Sequence, residues 1–370
     1  MAGSWTAVAV YIGTRVLLVA IAAAVAAVEH HSLSSAIGHW DGVWYSRLAL
    51  HGYPAHSVHH ASTLGFLPLF PAMIWVLMQL GIDSPVLAGA LISGIGGLIA
   101  TVLVQRLATG WWGESTGRRA AVLFAVFPGS VVFSMAYSEG LLIPLAAGCI
   151  LALERRRWLL AGVLAGLATA TGADAAALIL VCALSAAVVV RRRGIGDPEA
   201  RRSLVAPLLS VTGIAAFGVF LWLWTGTPFA TLQAQRSGWH ERLDPLALVH
   251  QGQLFASQLE NFTTTHPTLD LSPAAALSGA VVLAIGLILL LRRPRRASLE
   301  AIAWAAAIGA IAVLSEHVGP NARMLITAFP VILVFAERLR GRSYAWLLGA
   351  NGVLLVAMSA LTFTGHSLTP

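Results

Sequence analysis

Lysine is absent from this chain of 370 residues, cysteine occurs twice, and charged residues of all kinds make up only 11%. A soluble domain carries roughly a quarter charged residues. That shortage, beside 58% hydrophobic residues, excludes a soluble enzyme, a disordered chain and a fibrous repeat. Cys149 and Cys182 both fall inside apolar runs; they offer no disulfide framework and read as small core residues. Internal repeats are missing too. The Pro68/Pro71 pattern has no second copy, whereas many transporters show matching broken helices in two halves.

What the chain does have is apolar runs. A hydrocarbon core about 30 Å thick needs about 20 apolar helical residues. Eleven runs qualify or nearly qualify: 5–28, 85–107, 119–136, 138–153, 158–172, 174–190, 204–225, 273–291, 298–315, 322–337 and 344–364. The expected fold is therefore all-α and polytopic, one integral membrane domain over 1–370. No small-residue cleavage site follows the first run, which reads as a retained span. Residues 64–82 are apolar as well, but Pro68 and Pro71 cannot donate helix hydrogen bonds. A re-entrant or juxtamembrane half-helix there keeps the alternation of loops; a true span beside a miscounted neighbour is the other reading.

All 23 basic residues are arginine, and the net charge is +7. Eighteen of them lie in five short connections, at 105–119, 154–157, 191–202, 292–296 and 338–342. The positive-inside rule makes those connections cytoplasmic, which leaves a nucleic-acid reading of the charge without support. The other side receives the two long loops, 29–63 and 226–272, all twelve histidines, Asp41, Glu139 and Asp174. The chemistry and the C-terminus are thus expected outside and the N-terminus in the cytoplasm. An arginine-only basic set fits a GC-rich genome, so the expected location is a bacterial plasma membrane.

The outer loop carries the sharpest signal, His39-Trp40-Asp41-Gly42-Val43-Trp44-Tyr45-Ser46-Arg47-Leu48. If 41–51 is helical, Asp41, Trp44, Tyr45 and Leu48 share one face. Trp and Tyr favour the membrane interface, so the segment reads as a juxtamembrane helix with one acid at its start. Asp41 also reads as an N-cap, and the aromatics as interfacial anchors. His56, His59 and His60 have a helical metal-ligand spacing, with His30 and His31 nearby. Solvated histidines are the plainer reading, and no zinc is expected.

Trp40-Asp41-Gly42-x-Trp44-Tyr45 with Ala49-x-x-Gly52-Tyr53 resembles the first luminal motif of the second GPI mannosyltransferase family and its bacterial relatives. Further ordered pieces are similar: Phe66-x-Pro68-Leu69-x-Pro71, Phe127-Pro128 with Tyr137-Ser138-Glu139, Ala161 to Thr171, Thr227-Pro228-Phe229 with Gln235 and Trp239, and Arg323-Met324-Leu325 with Phe329-Pro330. One piece departs: the family's Arg-Pro after Thr-Ala-Thr is Gly172-Ala173 here, followed by Asp174.

The resemblance implies a GT-C glycosyltransferase that takes mannose from a polyprenyl phosphate and passes it, with inversion, to a glycolipid or glycan acceptor on the outer face. Asp41 would be the base. Arg323, at the outer end of a span, would stabilise the phosphate leaving group; an interfacial snorkelling arginine is its other reading. Glu139, Tyr45 and Trp44 would position the sugar, and Trp40 and Gln235 join the substrate-binding set. No cofactor is required; a divalent ion bridging the lipid phosphate and a carboxylate is compatible but unsupported. A lipid or small-molecule transporter, or an inactive scaffold, remain the competing readings. Arg15, ten residues into the first span, is the one hint of a polar path.

Overall fold

The computed structural model describes residues 2–56, 60–239, 241–260, 270–292, 297–316 and 318–365, with side chains from Trp5 onward. Among these there is no β-strand, only the isolated bridge between Leu243 and Ser315. Each of the eleven apolar runs folds as helix, whole or in pieces. The chain opens with α1 (Ala2–Val28), α2 (Leu33–Ile37), α3 (Asp41–His51) and α4 (Leu69–Gln79), then α5 (Pro85–Trp112) and α6 (Glu114–Val126). A 3-10 segment, Pro128–Ser134, leads into α7 (Glu139–Glu154), followed by α8 (Trp158–Thr169) and α9 (Ala177–Arg193). Three helices follow in one run, α10 (Pro198–Ser203), α11 (Val205–Ser210) and α12 (Thr212–Thr225), then the short α13 (Ala230–Gln233) and α14 (Ala247–Glu260). The chain closes with α15 (Ser272–Leu291), α16 (Leu299–Leu314), α17 (Ala322–Thr327), α18 (Pro330–Arg338) and α19 (Gly341–Thr364).

Among the described residues six helical segments are long and apolar enough to cross a membrane, seven if the bent pair at 128–154 is one span. The other expected runs, 119–136, 158–172, 298–315 and 322–337, are shorter helices or helix pairs. Hydropathy counts apolar residues without seeing backbone breaks. Pro128 stops α6, and Pro330 separates α18 from α17, because proline lacks the amide that would continue a helix. The expected connection at 105–119 is also corrected. α5 runs on to Trp112, and the whole turn is Gly113, whose φ of 88° suits glycine alone. In contrast, α3 has the bounds 41–51 that periodicity gives. At 11 residues α4 is about 16 Å long, half a hydrocarbon core.

Two features set the geometry near α3. The segment Pro128–Ser134 meets α7 at 112°, a broken element with Tyr137, Ser138 and Glu139 at its bend. Irregular backbone is tolerated at membrane depth where it lines a cavity or is buried in protein. Here Arg15 of α1 supplies the missing donors: its guanidinium bonds Ser130 O, Ser130 Oγ at 2.9 Å, Ser134 Oγ at 3.1 Å and Ala125 O at 3.3 Å. That accounts for the intramembrane charge as a clamp on unwound chain. Second, α5 and α7 touch through glycines: a Cβ on Gly96 would overlap the Gly140 carbonyl, and one on Gly140 would strike Ser93. Cys149 and Cys182 are buried free thiols with sulfurs 3.8 Å apart, linking α7 to α9 by contact.

Candidate functional site

Tyr137, at the bend, is held from both sides. Ser93 Oγ on α5 donates to the Tyr137 carbonyl at 2.7 Å, and the Tyr137 amide donates back at 3.2 Å. α3 is laid over this bend: the Ala136 amide donates to Ile37 O at 3.2 Å, and the Asp41 amide donates to Tyr137 Oη at 3.3 Å. The turn into α3 is made at Trp40, whose φ of 61° is unusual for a bulky residue and costs on the order of 1–3 kcal/mol. α17 reaches the same place because Gly129 lets the 3-10 segment press against Ala322. Asn321 caps α17 by accepting from the Met324 amide at 3.0 Å, and Arg323 follows in its first turn.

These contacts bring together Asp41, Glu139 and Arg323. Arg323 Nη1 donates to Asp41 Oδ2 at 2.6 Å, and its Nε lies 3.6 Å from Glu139 Oε1. The guanidinium carbon stands 5.7 Å from the Tyr137 ring centroid. Side-chain exposures are 16% for Arg323, 29% for Asp41 and 9% for Glu139. Asp41 is therefore not the cap of α3; its carboxylate is spent on Arg323. Arg323 Nε and Glu139 Oε2 are buried without a hydrogen-bond partner among the described residues. Asp174, which stands near the family's arginine position, adds a further negative charge to the field at Arg323. The cluster itself holds one cation between two acids.

The remaining expected site residues divide. Tyr45 is buried and donates to Ser138 Oγ at 2.7 Å. Burial, with Asp41 and Glu139 nearby, pushes its phenol well above the ordinary value, so it stays a donor. Trp44 stacks near Phe66 at 6.1 Å and meets Trp239 edge-on at 4.8 Å. Trp40 and Gln235 are committed elsewhere. Trp40 Nε1 donates to Thr362 O on α19 at 3.2 Å, and Gln235 Nε2 donates to Gly65 O at 2.9 Å. Sequence reasoning did not assign roles to Tyr137 and Ser138, although both stand in the Tyr-Ser-Glu motif. Of the histidine set, His59 lies outside the described residues, and no group of three metal-ligand side chains forms among the described ones.

An apolar groove of about 740 Å³ runs between α4, α5, α7 and α8. It begins near Leu69 and Leu141, two residues past Glu139, and extends to Arg155 and Arg157 at the far ends of α7 and α8.

No protein-family model and no curated protein matches the sequence. Solved structures do. The apo oligosaccharyltransferase of Archaeoglobus fulgidus aligns with 95% of this chain and 56% of its own, at 14% identity and a TM-score of 0.53. ArnT from Cupriavidus metallidurans, solved bound to undecaprenyl phosphate, aligns with 91% of this chain and 62% of its own, at 18% identity and a TM-score of 0.52. The chain thus spans less than two thirds of the length of either. At such identities the likeness is one of fold, an all-α architecture with several apolar helices.

Proposed function

We propose that this chain is a membrane glycosyltransferase that moves a sugar, mannose by its motifs, from a polyprenyl-phosphate donor to a glycolipid or glycan acceptor on the extracytoplasmic face. The observation that carries the reading is the Arg323–Asp41–Glu139 cluster, set under an amphipathic helix at a broken span. A phosphate arriving there meets a guanidinium with an unused Nε donor, and arginine suits phosphate through its planar fork. The groove between α4, α5, α7 and α8 is apolar over most of its length, as an isoprenoid tail requires. ArnT, of similar fold, was solved with such a lipid phosphate.

In the proposed step the acceptor hydroxyl oxygen attacks the anomeric carbon of the donor from the side opposite the phosphate. The bond from that carbon to the phosphate oxygen breaks, and its electron pair leaves with the polyprenyl phosphate. The hydroxyl proton passes to Asp41, and the configuration inverts. Before substrate binds, Asp41 is tied to Arg323. A phosphate that draws the guanidinium to itself loosens that tie, so the base is released as the leaving group is secured. Glu139 and Tyr45 hold the sugar hydroxyls, with Trp44 against the ring. Trp40 and Gln235 act one step back, fixing the approach of α3 and the 226–239 loop. Arg323 supplies the positive charge, and the route needs no metal.

The transporter reading gains nothing from Arg15, whose two Nη groups are engaged by Ser130 O, Ser130 Oγ and Ser134 Oγ. The test is transfer of labelled sugar from polyprenyl-phosphate mannose in membranes. Asp41→Asn is expected to lower the rate by at least about 10²-fold, within the range of general base catalysis. Equal transfer by the variant would remove Asp41 as the base.

A further inference from the structure

A second, smaller pocket opens at the other end of α3 and shares only Trp44 with the step above. Its volume is about 320 Å³, and its wall includes Trp44, Arg47, His51, His60, Ser62 and Thr63. That size falls at the low end of small-molecule sites, roughly 300–1,000 Å³. No carboxylate lines it among the described residues. The Arg47 guanidinium lies over the Trp44 ring, 4.9 Å from its centroid, and pairs with no acid among the described residues. Stacking on a ring fixes a planar fork at little entropic cost.

Ser62 is the second observation. Its residue is 7% exposed, and its Oγ has no hydrogen-bond partner among the described residues, although it lines the pocket. A buried hydroxyl left without a partner costs free energy, which a bound polar group would recover. The wall is also built rather than incidental. Gln235 bonds Gly65, and a Cβ on Gly238 would collide with the His60 carbonyl, so the second outer loop braces the first.

We propose that this pocket binds an oxyanion carried on the acceptor, a phosphate or carboxylate attached to sugar. The assignment rests on the glycosyltransferase reading and extends it. Arg47 holds the anion through its fork, and Ser62 donates its hydroxyl. Trp44 belongs to both sites and forms the floor between them. The donor is an unsuitable occupant, because the apolar groove lies against α4, α5, α7 and α8 and shares none of these residues. Arg47 and His51 stand six and ten residues along α3 from Asp41, about 9 and 15 Å at 1.5 Å per residue. The acceptor's anion is thus set back from the reacting hydroxyl by that distance.

The test is ligand-observed saturation-transfer NMR on the full chain in nanodiscs of zwitterionic lipid, with mannose 6-phosphate as probe. Binding is expected in wild type, about tenfold weaker in Arg47→Gln, and at least tenfold weaker for methyl mannoside. Arg47 is exposed, and an unchanged unfolding midpoint will show that its variant folds. Equal affinity in wild type and Arg47→Gln would overturn the proposal. So would displacement of the probe by undecaprenyl phosphate, which would hand the pocket to the lipid carrier, or by inorganic phosphate at equal concentration, which would make it an anion site blind to sugar. Normal transfer by Asp41→Asn beside normal probe binding would instead remove the proposed base and leave the pocket standing.

Discussion

A guanidinium only 16% exposed serves two carboxylates, 29% and 9% exposed. Removing one partner from such a pair leaves an uncompensated charge, at a cost of about 3–5 kcal/mol. Arg323→Met is therefore expected to lower the thermal midpoint strongly in detergent, and the double variant Arg323→Met/Asp41→Asn to recover part of the loss. Asp41→Asn alone leaves Arg323 beside Glu139, so that variant is expected to stay folded while transfer fails. Scanning fluorimetry of the purified chains reads both outcomes. At this scale the sequence was half legible. Asp41 and Arg323 each stood out as a charge on the outer side, away from the arginine clusters. Their meeting did not, because they lie 282 residues apart and no spacing rule joins them. Gln235 and Trp40 show the same limit from the other direction: a motif marks a residue without saying whether its donor faces a substrate or a backbone carbonyl.

Elements whose pattern is local were read well. The C-terminal bound of α3 follows from Gly52, and its shared face from the spacing of Asp41, Trp44, Tyr45 and Leu48. The half-helix α4 follows from two prolines. Where the sequence misled, the cause was backbone geometry: α5 extends beyond its apolar run, and the 112° bend before α7 has no hydropathy signature. The bend depends on close approach of α5 and α7. Gly96→Ala is expected to cost about 1–3 kcal/mol, as overpacking does, and to slow transfer by displacing Gly140 and with it Glu139. Gly110→Ala on the same helix meets nothing within 4 Å and is the control, expected to be neutral or slightly stabilising. Unfolding midpoints and transfer rates of the pair decide it.

For the whole molecule, the distribution of arginine sets the proposed orientation, with α3 and the cluster on the extracytoplasmic side. Cys149 and Cys182 are fully buried, so a single introduced thiol can report on sidedness. His60→Cys is expected to react with an impermeant maleimide in intact cells, and Gly196→Cys only after permeabilisation; the reverse result would invert the topology. The Arg15 clamp bears on biogenesis. Its acceptor Ser130 lies 115 residues downstream in the same chain. At about 5–20 residues per second a ribosome needs roughly 6–23 s to synthesise that stretch. Throughout that interval the first helix carries a cation with no 128–134 backbone to receive it. Its final seating must therefore wait for translation to pass Ser134, after α2 to α6 have been synthesised.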